Sequence, residues 1–411
     1  MKIAILGTRG IPARYGGFET FAEELSARLV ERGYDVTVYC EDHGGERPAR
    51  YRGINLVYLP VHRLGPLTTI LFDLACLWHA RKDYDVVYML GYGAGAFCFL
   101  PRLWGSEVWI NMDGVEWARS KWNGVAKLWF RMMEAAAMRT PDRVIADAQG
   151  ILTHLRSRHM RMPAADVIAY GAPVVETAPD VRFLDRWQLE PGKYYLIVCR
   201  LEPENTVREM VSWYLQSETR LPLVVVGGID PPTGYVSELL RMNDGRVRFV
   251  GSVYEKDVLT ALRWHSLGYF HGHTVGGTNP SLLEALGCGN VVIAKSNIYN
   301  HEVAGSAAFF FNSGSSIPKI MQTIESSSAK QLDLLKTAAR ERVRRKYGWN
   351  SIADSYSRLL HATERERSYQ RGLRLTRNAG KNMAISMSTV IHRPELEMKN
   401  ITVSSRSTVL K

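Results

Sequence analysis

The stretch "KIAILGTRGIPARYGGFETFAEELSARL", residues 2–29, decides how the chain is read. "KIAIL" is an unbroken apolar run, the pattern of a parallel strand buried on both faces. Phe18, Phe21, Ala22, Leu25 and Leu29 then fall at helical spacing, and Gly33 closes that helix. Between strand and helix lie Gly7, Gly10, Gly16 and Gly17, with Arg9, Pro12 and Arg14 among them. A tight turn would have sufficed, and a loop this long inside a compact unit usually holds something.

The same strand–loop–helix unit repeats along the chain. "DVTVYC" (35–40), "YDVVYML" (84–90), "EVWIN" (107–111) and "RVIAD" (143–147) follow as strands, with a helix expected over 126–139. After a break at 169–183 the alternation restarts with "YYLIVC", "LPLVVVGG", "RVRFVG", "GYFHGH", "NVVIAK" and "AAFFF", ending at Phe311. Two successive βα alternations predict an α/β protein of two doubly wound Rossmann-like domains facing across a cleft. We place a first domain at 1–175, a second at 176–345, a closing helix at 346–363 and a basic, disordered tail at 364–411. Ligands of such folds sit beyond the C-terminal ends of the strands, so the site is expected in the cleft.

Composition bounds the function. The chain has 411 residues, 46% of them hydrophobic, and a net charge of +11. From Arg365 onward ten Lys/Arg stand against three Asp/Glu, leaving +4 for the body. A nucleic-acid surface is therefore not expected, although a basic tail can also touch anionic lipid. No apolar run reaches roughly 18 residues, and the N-terminus lacks a signal pattern. Cys40, Cys76, Cys98, Cys199 and Cys288 are scattered without pairing or zinc spacing, which points to a reducing compartment.

Four loops are candidates for chemistry. The glycines of the first miss the dinucleotide spacing G-x-G-x-x-G, but Gly16 and Gly17 precede a helix N-terminus, where backbone amides and the helix dipole suit an anion, with Arg9 and Arg14 as added cations. An ordinary glycine-rich surface loop is the alternative. In "NMDGVEWARSKW" (111–122), Asn111, Asp113 and Glu116 follow a buried strand beside Trp117 and Trp122, a set that suits sugar hydroxyls and ring faces, or simply a good turn at Asp113-Gly114. In "CRLEPENTVRE" (199–209), Arg200 ends a strand and can fork across a diphosphate, or pair with Glu202 or Glu204. The fourth loop, "HGHTVGGTNPSLLEALGCGNVVIA" (271–294), runs through Gly277 and Thr278 to Asn279-Pro280, which open a helix bearing Glu284 one turn in, placed for a ribose diol. His273 is read as a cleft residue binding substrate or phosphate, since H-x-H alone is a weak metal signal. "DYD" (83–85) lies at the wrong end of its strand for the cleft, and "GYGAG" (91–95) is too unspecific to name a ligand.

The glycine loop ending G-G-x-E, the segment R-L-x-P-E and the helix P-x-L-L-E-A-x-x-C-G resemble, in this order over residues 1–362, the retaining nucleotide-sugar-dependent glycosyltransferases of family 4. "GTRGIPARYGGFETFAEEL", "NMDGVEW", "RLEPEN" and "HGHTVGGTNPSLLEA" look like its rhamnosyltransferase subgroup of capsule, O-antigen and exopolysaccharide assembly. The resemblance implies the GT-B fold and metal-independent transfer of L-rhamnose from dTDP-L-rhamnose, with retention, to a sugar acceptor on polyprenyl diphosphate. No cofactor is implied. It assigns donor binding to Arg9, Gly16, Gly17, Arg200, Asn205, Gly277, Thr278, Asn279 and Glu284, the acceptor side to Asn111, Asp113 and Glu116, and catalysis to Asp113, Arg200 and His273. Two positions depart from the family: the first carboxylate of its E-x7-E pair falls at Gly276, and its diphosphate lysine is Asn205. Charge for the diphosphate must then come from elsewhere, with Arg9 and Arg14 as candidates. The implied location is cytoplasmic, peripheral on the inner membrane face, with "PLTTILFDLACLW" (66–78) and "KLWFRMMEAAAMR" (127–139) as docking surface or core. Rival readings are a sugar-nucleotide epimerase of the same architecture, an NAD-dependent oxidoreductase using Glu41 or Asp42, and a non-catalytic scaffold in a polysaccharide assembly complex.

Overall fold

The computed structural model describes residues 1–369 other than 14, 15, 62, 63, 66, 120, 121, 243 and 315. Arg14 and the tail from 370 lie outside the described residues.

The first eight strands are β1 (Lys2–Leu6), β2 (Asp35–Asp42), β3 (Arg50–Tyr51), β4 (Ile54–Pro60), β5 (Val86–Leu90), β6 (Glu107–Met112), β7 (Arg143–Ala146) and β8 (Ala164–Val167). They form one sheet in the order β3-β4-β2-β1-β5-β6-β7-β8, parallel except for the β3–β4 pair. Helices α1 (Gly17–Glu31), α2 (Leu67–His79), α3 (Gly124–Ala137) and α4 (Gln149–Arg158) connect them. The second sheet contains β9 (Tyr195–Val198), β10 (Leu223–Val226), β11 (Val247–Gly251), β12 (Gly268–His271), β13 (Val292–Lys295) and β14 (Ala308–Phe311). Its order is β11-β10-β9-β12-β13-β14, all parallel. Helices α5 (Val207–Leu215), α6 (Gly234–Arg241), α7 (Lys256–His265), α8 (Pro280–Gly287), α9 (Ile298–Ala304), α10 (Ser316–Ser326) and α11 (Ala329–Lys346) complete this half.

Each sheet has its own core. Ala4, Leu6, Val87, Met89, Val108 and Ile110 fill the first, and Ile197, Val225, Phe270 and Ile293 the second. Burying one such aliphatic side chain stabilises the fold by roughly 1.5–3 kcal/mol, which is why the central strands read as unbroken apolar runs. The sequence reading did not pick out β3, β4 and β8, which lie towards the edges and are only partly buried. In each sheet the chain reverses its direction of growth at one central strand pair, β1/β5 and β9/β12, and these switch points open a crevice at the C-terminal strand ends.

The helix expected over 346–362 starts three residues later, at 349. Helix α11 stops at Lys346, Gly348 bridges to Ala172, and a new helix starts at 349. Tyr347 N–H closes the last turn of α11 on Val343 O at 2.8 Å, while its carbonyl accepts from Ala172 N–H at 2.8 Å. The first turns of the new helix cross back to the first sheet. Arg32 Nη2 meets Asp354 Oδ1 at 2.5 Å, and the hydroxyls of Tyr356 and Tyr88 lie 2.8 Å apart. Gly171 is obligatory there, because a Cβ would stand 2.4 Å from the Trp349 ring.

Candidate active site

A cavity of about 1350 Å³ opens between the two sheets. The strand ends deliver its polar wall: Asp113 follows β6, Asp147 follows β7, Arg200 lies just past β9 and His273 just past β12. Gly16, Gly17, Glu116, Asn205, Gly277, Thr278, Asn279 and Glu284 also line it, as do Arg119 and Arg263, which the sequence reading did not assign.

Electrostatics converge on Asp113. Burial and the nearby Glu116 push its carboxyl up to about 6, against the pull of Arg119 and Arg200. Arg119 is 9% exposed and its Nη2 pairs with Glu116 Oε1 at 2.8 Å. The sequence signal for Arg119 was its place three residues after Glu116 in the loop already singled out, but one helical turn of surface charge reads the same way. Arg200 keeps its guanidinium half-exposed to the cavity, with Glu202 Oε1 3.6 Å away. It is positioned to meet an anion from solvent.

The Lys-to-Asn departure at 205 has a structural account. Asn205 Nδ2 donates to Arg200 O at 2.8 Å, and its Oδ1 lies 2.7 Å from Nδ1 of His273. Both ends of the amide are occupied, so Asn205 positions Arg200 and His273 rather than presenting a free donor-binding group. Burial, with Arg119 and Arg200 nearby, pulls His273 down to about 4, so the ring is neutral. The Asn205 amide oxygen can only accept, so the His273 Nδ1 facing it is the donor in that contact. His271 is pulled to about 3 by burial. The two rings stand 6.3 Å apart, and among the described residues no three of His, Cys, Asp and Glu gather around a possible metal position.

The glycine loop is long for a reason other than the one expected. Arg9 N–H donates to Glu19 Oε1 at 3.1 Å and Ala13 N–H to Glu23 Oε2 at 2.7 Å, so these amides serve carboxylates of α1 rather than an incoming anion. Arg9 itself is exposed and does not line the cavity. Gly16 and Gly17 do reach the wall, and a Cβ on Gly17 would lie 3.3 Å from Pro280 Cγ across the cleft. Asn111 is also off the wall. It is 1% exposed inside β6, and its Nδ2 donates to Tyr88 Oη at 3.0 Å.

In the fourth loop, Thr278 N–H donates to Asp147 Oδ2 at 2.9 Å and the Thr278 hydroxyl to Asp147 O. Gly277 has no room for a Cβ, which would sit 1.8 Å from Asp147 Oδ1. Gly277 and Thr278 thus join the two halves at the cavity floor. Burial and the nearby Asp113 hold the Asp147 carboxyl well above its ordinary range. Asn279 caps α8 through Ser281 N–H at 2.9 Å. Glu284 faces the cavity but is not free: Arg263, 5% exposed, pairs with its Oε2 at 2.6 Å. A side chain at Gly276 would point between His273 Nε2, at 3.4 Å, and Asp113 O, at 3.6 Å.

A family model described as a domain of unknown function, DUF1972, matches residues 1–173. A 101-residue stretch is 27% identical to an uncharacterized 42.6 kDa protein in the cps region of Klebsiella pneumoniae, covering 22% of this chain and 27% of that protein. The chain therefore matches only about a quarter of that relative's length. Among solved structures, sucrose-phosphate synthase from Thermosynechococcus elongatus superposes with a TM-score of 0.72 at 18% identity, over 88% of this chain and 98% of that one. Anabaena HepE in complex with UDP gives 0.71 at 17% identity, over 88% and 100%. A glycosyltransferase from Rickettsia africae gives 0.65 at 14%, over 88% and 98%. At such identities the likeness is one of fold: two Rossmann-like domains facing across a cleft, the GT-B architecture.

Proposed function

We propose that this chain is a glycosyltransferase of surface polysaccharide synthesis, moving L-rhamnose from dTDP-L-rhamnose with retention to a sugar acceptor on polyprenyl diphosphate. The observation that carries the reading is the cavity at the two switch points, where Arg119, Arg200 and Arg263 gather with Glu284 and the N-terminal end of α8. That set suits a nucleoside diphosphate. The bond from the sugar C1 to the diphosphate breaks, Arg200 and Arg119 stabilise the departing charge, and the acceptor oxygen bonds to C1 from the same face. The acceptor proton leaves with the diphosphate oxygen, while Asp113 and His273 bind sugar hydroxyls. Transfer proceeds without a metal in this reading. The UDP complexes of HepE and the cps-region relative support the class of reaction.

The membrane part of the reading draws on exposed side chains. Leu67, Leu71 and Trp78 of α2, Phe99, Leu103 and Trp104, and Val125, Leu128 and Met132 of α3 all face outward. Arg81 lies 4.0 Å from the Trp78 ring and 5.5 Å from Trp104. Apolar and aromatic groups mixed with arginine suit an anionic lipid surface, and no described helix is long and apolar enough to cross a membrane.

The test is thermal stabilisation by a panel of nucleoside diphosphates and nucleotide sugars, with and without chelator. A selective, chelator-insensitive shift with dTDP or dTDP-rhamnose is expected. A shift with UDP or GDP ligands instead would keep the transferase and change the donor. No shift with folded protein would overturn the reading in favour of a non-catalytic scaffold.

A further inference from the structure

A carboxylate that reads a ribose diol has an oxygen for each hydroxyl. Here half of the Glu284 carboxylate is already held. Oε2 accepts from Arg263 Nη2 at 2.6 Å, and Oε1 has no partner among the described residues. The guanidinium is not a passing neighbour: it is buried, and the same Nη2 lies 3.4 Å from Ser281 Oγ. Ser281 is in turn tied to Val198 O at 2.8 Å and Tyr269 Oη at 2.7 Å. Both Arg263 and Glu284 line the cavity. The pairing holds one lone pair of Oε2 and shares its charge with the guanidinium, so Oε2 is the weaker acceptor and Oε1 the stronger one facing the ligand. A sugar with a single ring hydroxyl satisfies that acceptor. A vicinal diol leaves its second hydroxyl poorly paired as it is buried, at the cost of a hydrogen bond to a charged group.

We infer that the Arg263–Glu284 pair selects a 2′-deoxyribonucleoside diphosphate over its ribo counterpart, with Arg263 as a positioning residue acting through Glu284. This rests on the reading of the cavity as a nucleotide-sugar site. Calorimetric titration of the full chain with deoxythymidine diphosphate and with ribothymidine diphosphate isolates the 2′-hydroxyl, because base and phosphates are the same. The deoxy form is expected to bind about tenfold tighter. Arg263→Met, by freeing Oε2, is expected to bring the ratio towards one through tighter binding of the ribo form. Should that variant not fold, Arg263→Lys, which keeps the charge but loses the planar fork, supplies the comparison. Equal wild-type affinities, or variants that shift both affinities by one factor, would overturn the inference and leave the nucleotide site standing. Binding of neither ligand to folded protein would overturn the site as well.

Discussion

Gly277→Ala is the sharpest test of how the two halves meet. The backbone at Gly277 is not left-handed, so alanine is excluded by space alone. Its Cβ would stand 1.8 Å from Asp147 Oδ1 and 2.6 Å from Oδ2, and real Cβ contacts begin at about 3.0 Å. The carboxylate has to retreat by more than an ångström, yet it is buried and tied to Thr278 N–H at 2.9 Å. Losing that bond costs about 1.5–3 kcal/mol, and the residual overlap about 1–3. Against this, alanine restricts the unfolded chain, a gain of about 0.4–1 kcal/mol. The net expectation is a loss of about 1.5–5.5 kcal/mol and a drop of several degrees in Tm. Calorimetry on Gly277→Ala, Asp147→Ala and the double variant closes a cycle. With the carboxylate gone, the alanine fits, so Gly277→Ala should be nearly neutral in the Asp147→Ala background. An equal cost in both backgrounds would refute the contact as the cause.

Three further outcomes are expected. Glu284→Ala strands the buried Arg263 guanidinium and should cost about 2–3 kcal/mol, towards the low side for a broken pair because Glu284 is partly exposed; Glu284→Gln should keep most of that stability while weakening nucleotide binding, as thermal melts and titration will show. Burial and the nearby Glu116 push the Asp113 carboxyl up to about 6 in the folded chain, against about 3.9 for a free aspartate. The folded state therefore binds more protons between about pH 4 and 6, and this group's contribution to stability falls as pH rises through that window. Transfer should rise over the same window, and Asp113→Asn should abolish both slopes in melts and rate profiles. Arg200→Ala, whose side chain is half-exposed, should leave Tm nearly unchanged and lower the transfer rate by about a hundredfold.

Much of this molecule was legible in sequence. Short, β-branched apolar runs such as "KIAIL" and "LVVV", bounded by glycine loops, fit strands covered on both faces, and their alternation with helical spacing admits few architectures besides two doubly wound domains. Asp113, Arg200, His273 and Glu284 could be named because each follows a strand end or opens a helix, positions that local pattern reveals. What pairs with them could not. Arg119 and Arg263 become cavity cations, and Asp147 becomes the tie to Gly277 and Thr278, only when strands far apart in sequence are set side by side. Arg9 and Asn111 failed the same way from the other side, one turned to solvent and the other sealed inside a strand. Periodicity is a property of neighbours along the chain, whereas burial of a charge and the partner that offsets it are properties of neighbours across space. Local pattern sets the two sheets and which loops end at the cleft; the packing of distant strands sets which of their polar groups face the cavity and which already hold a partner.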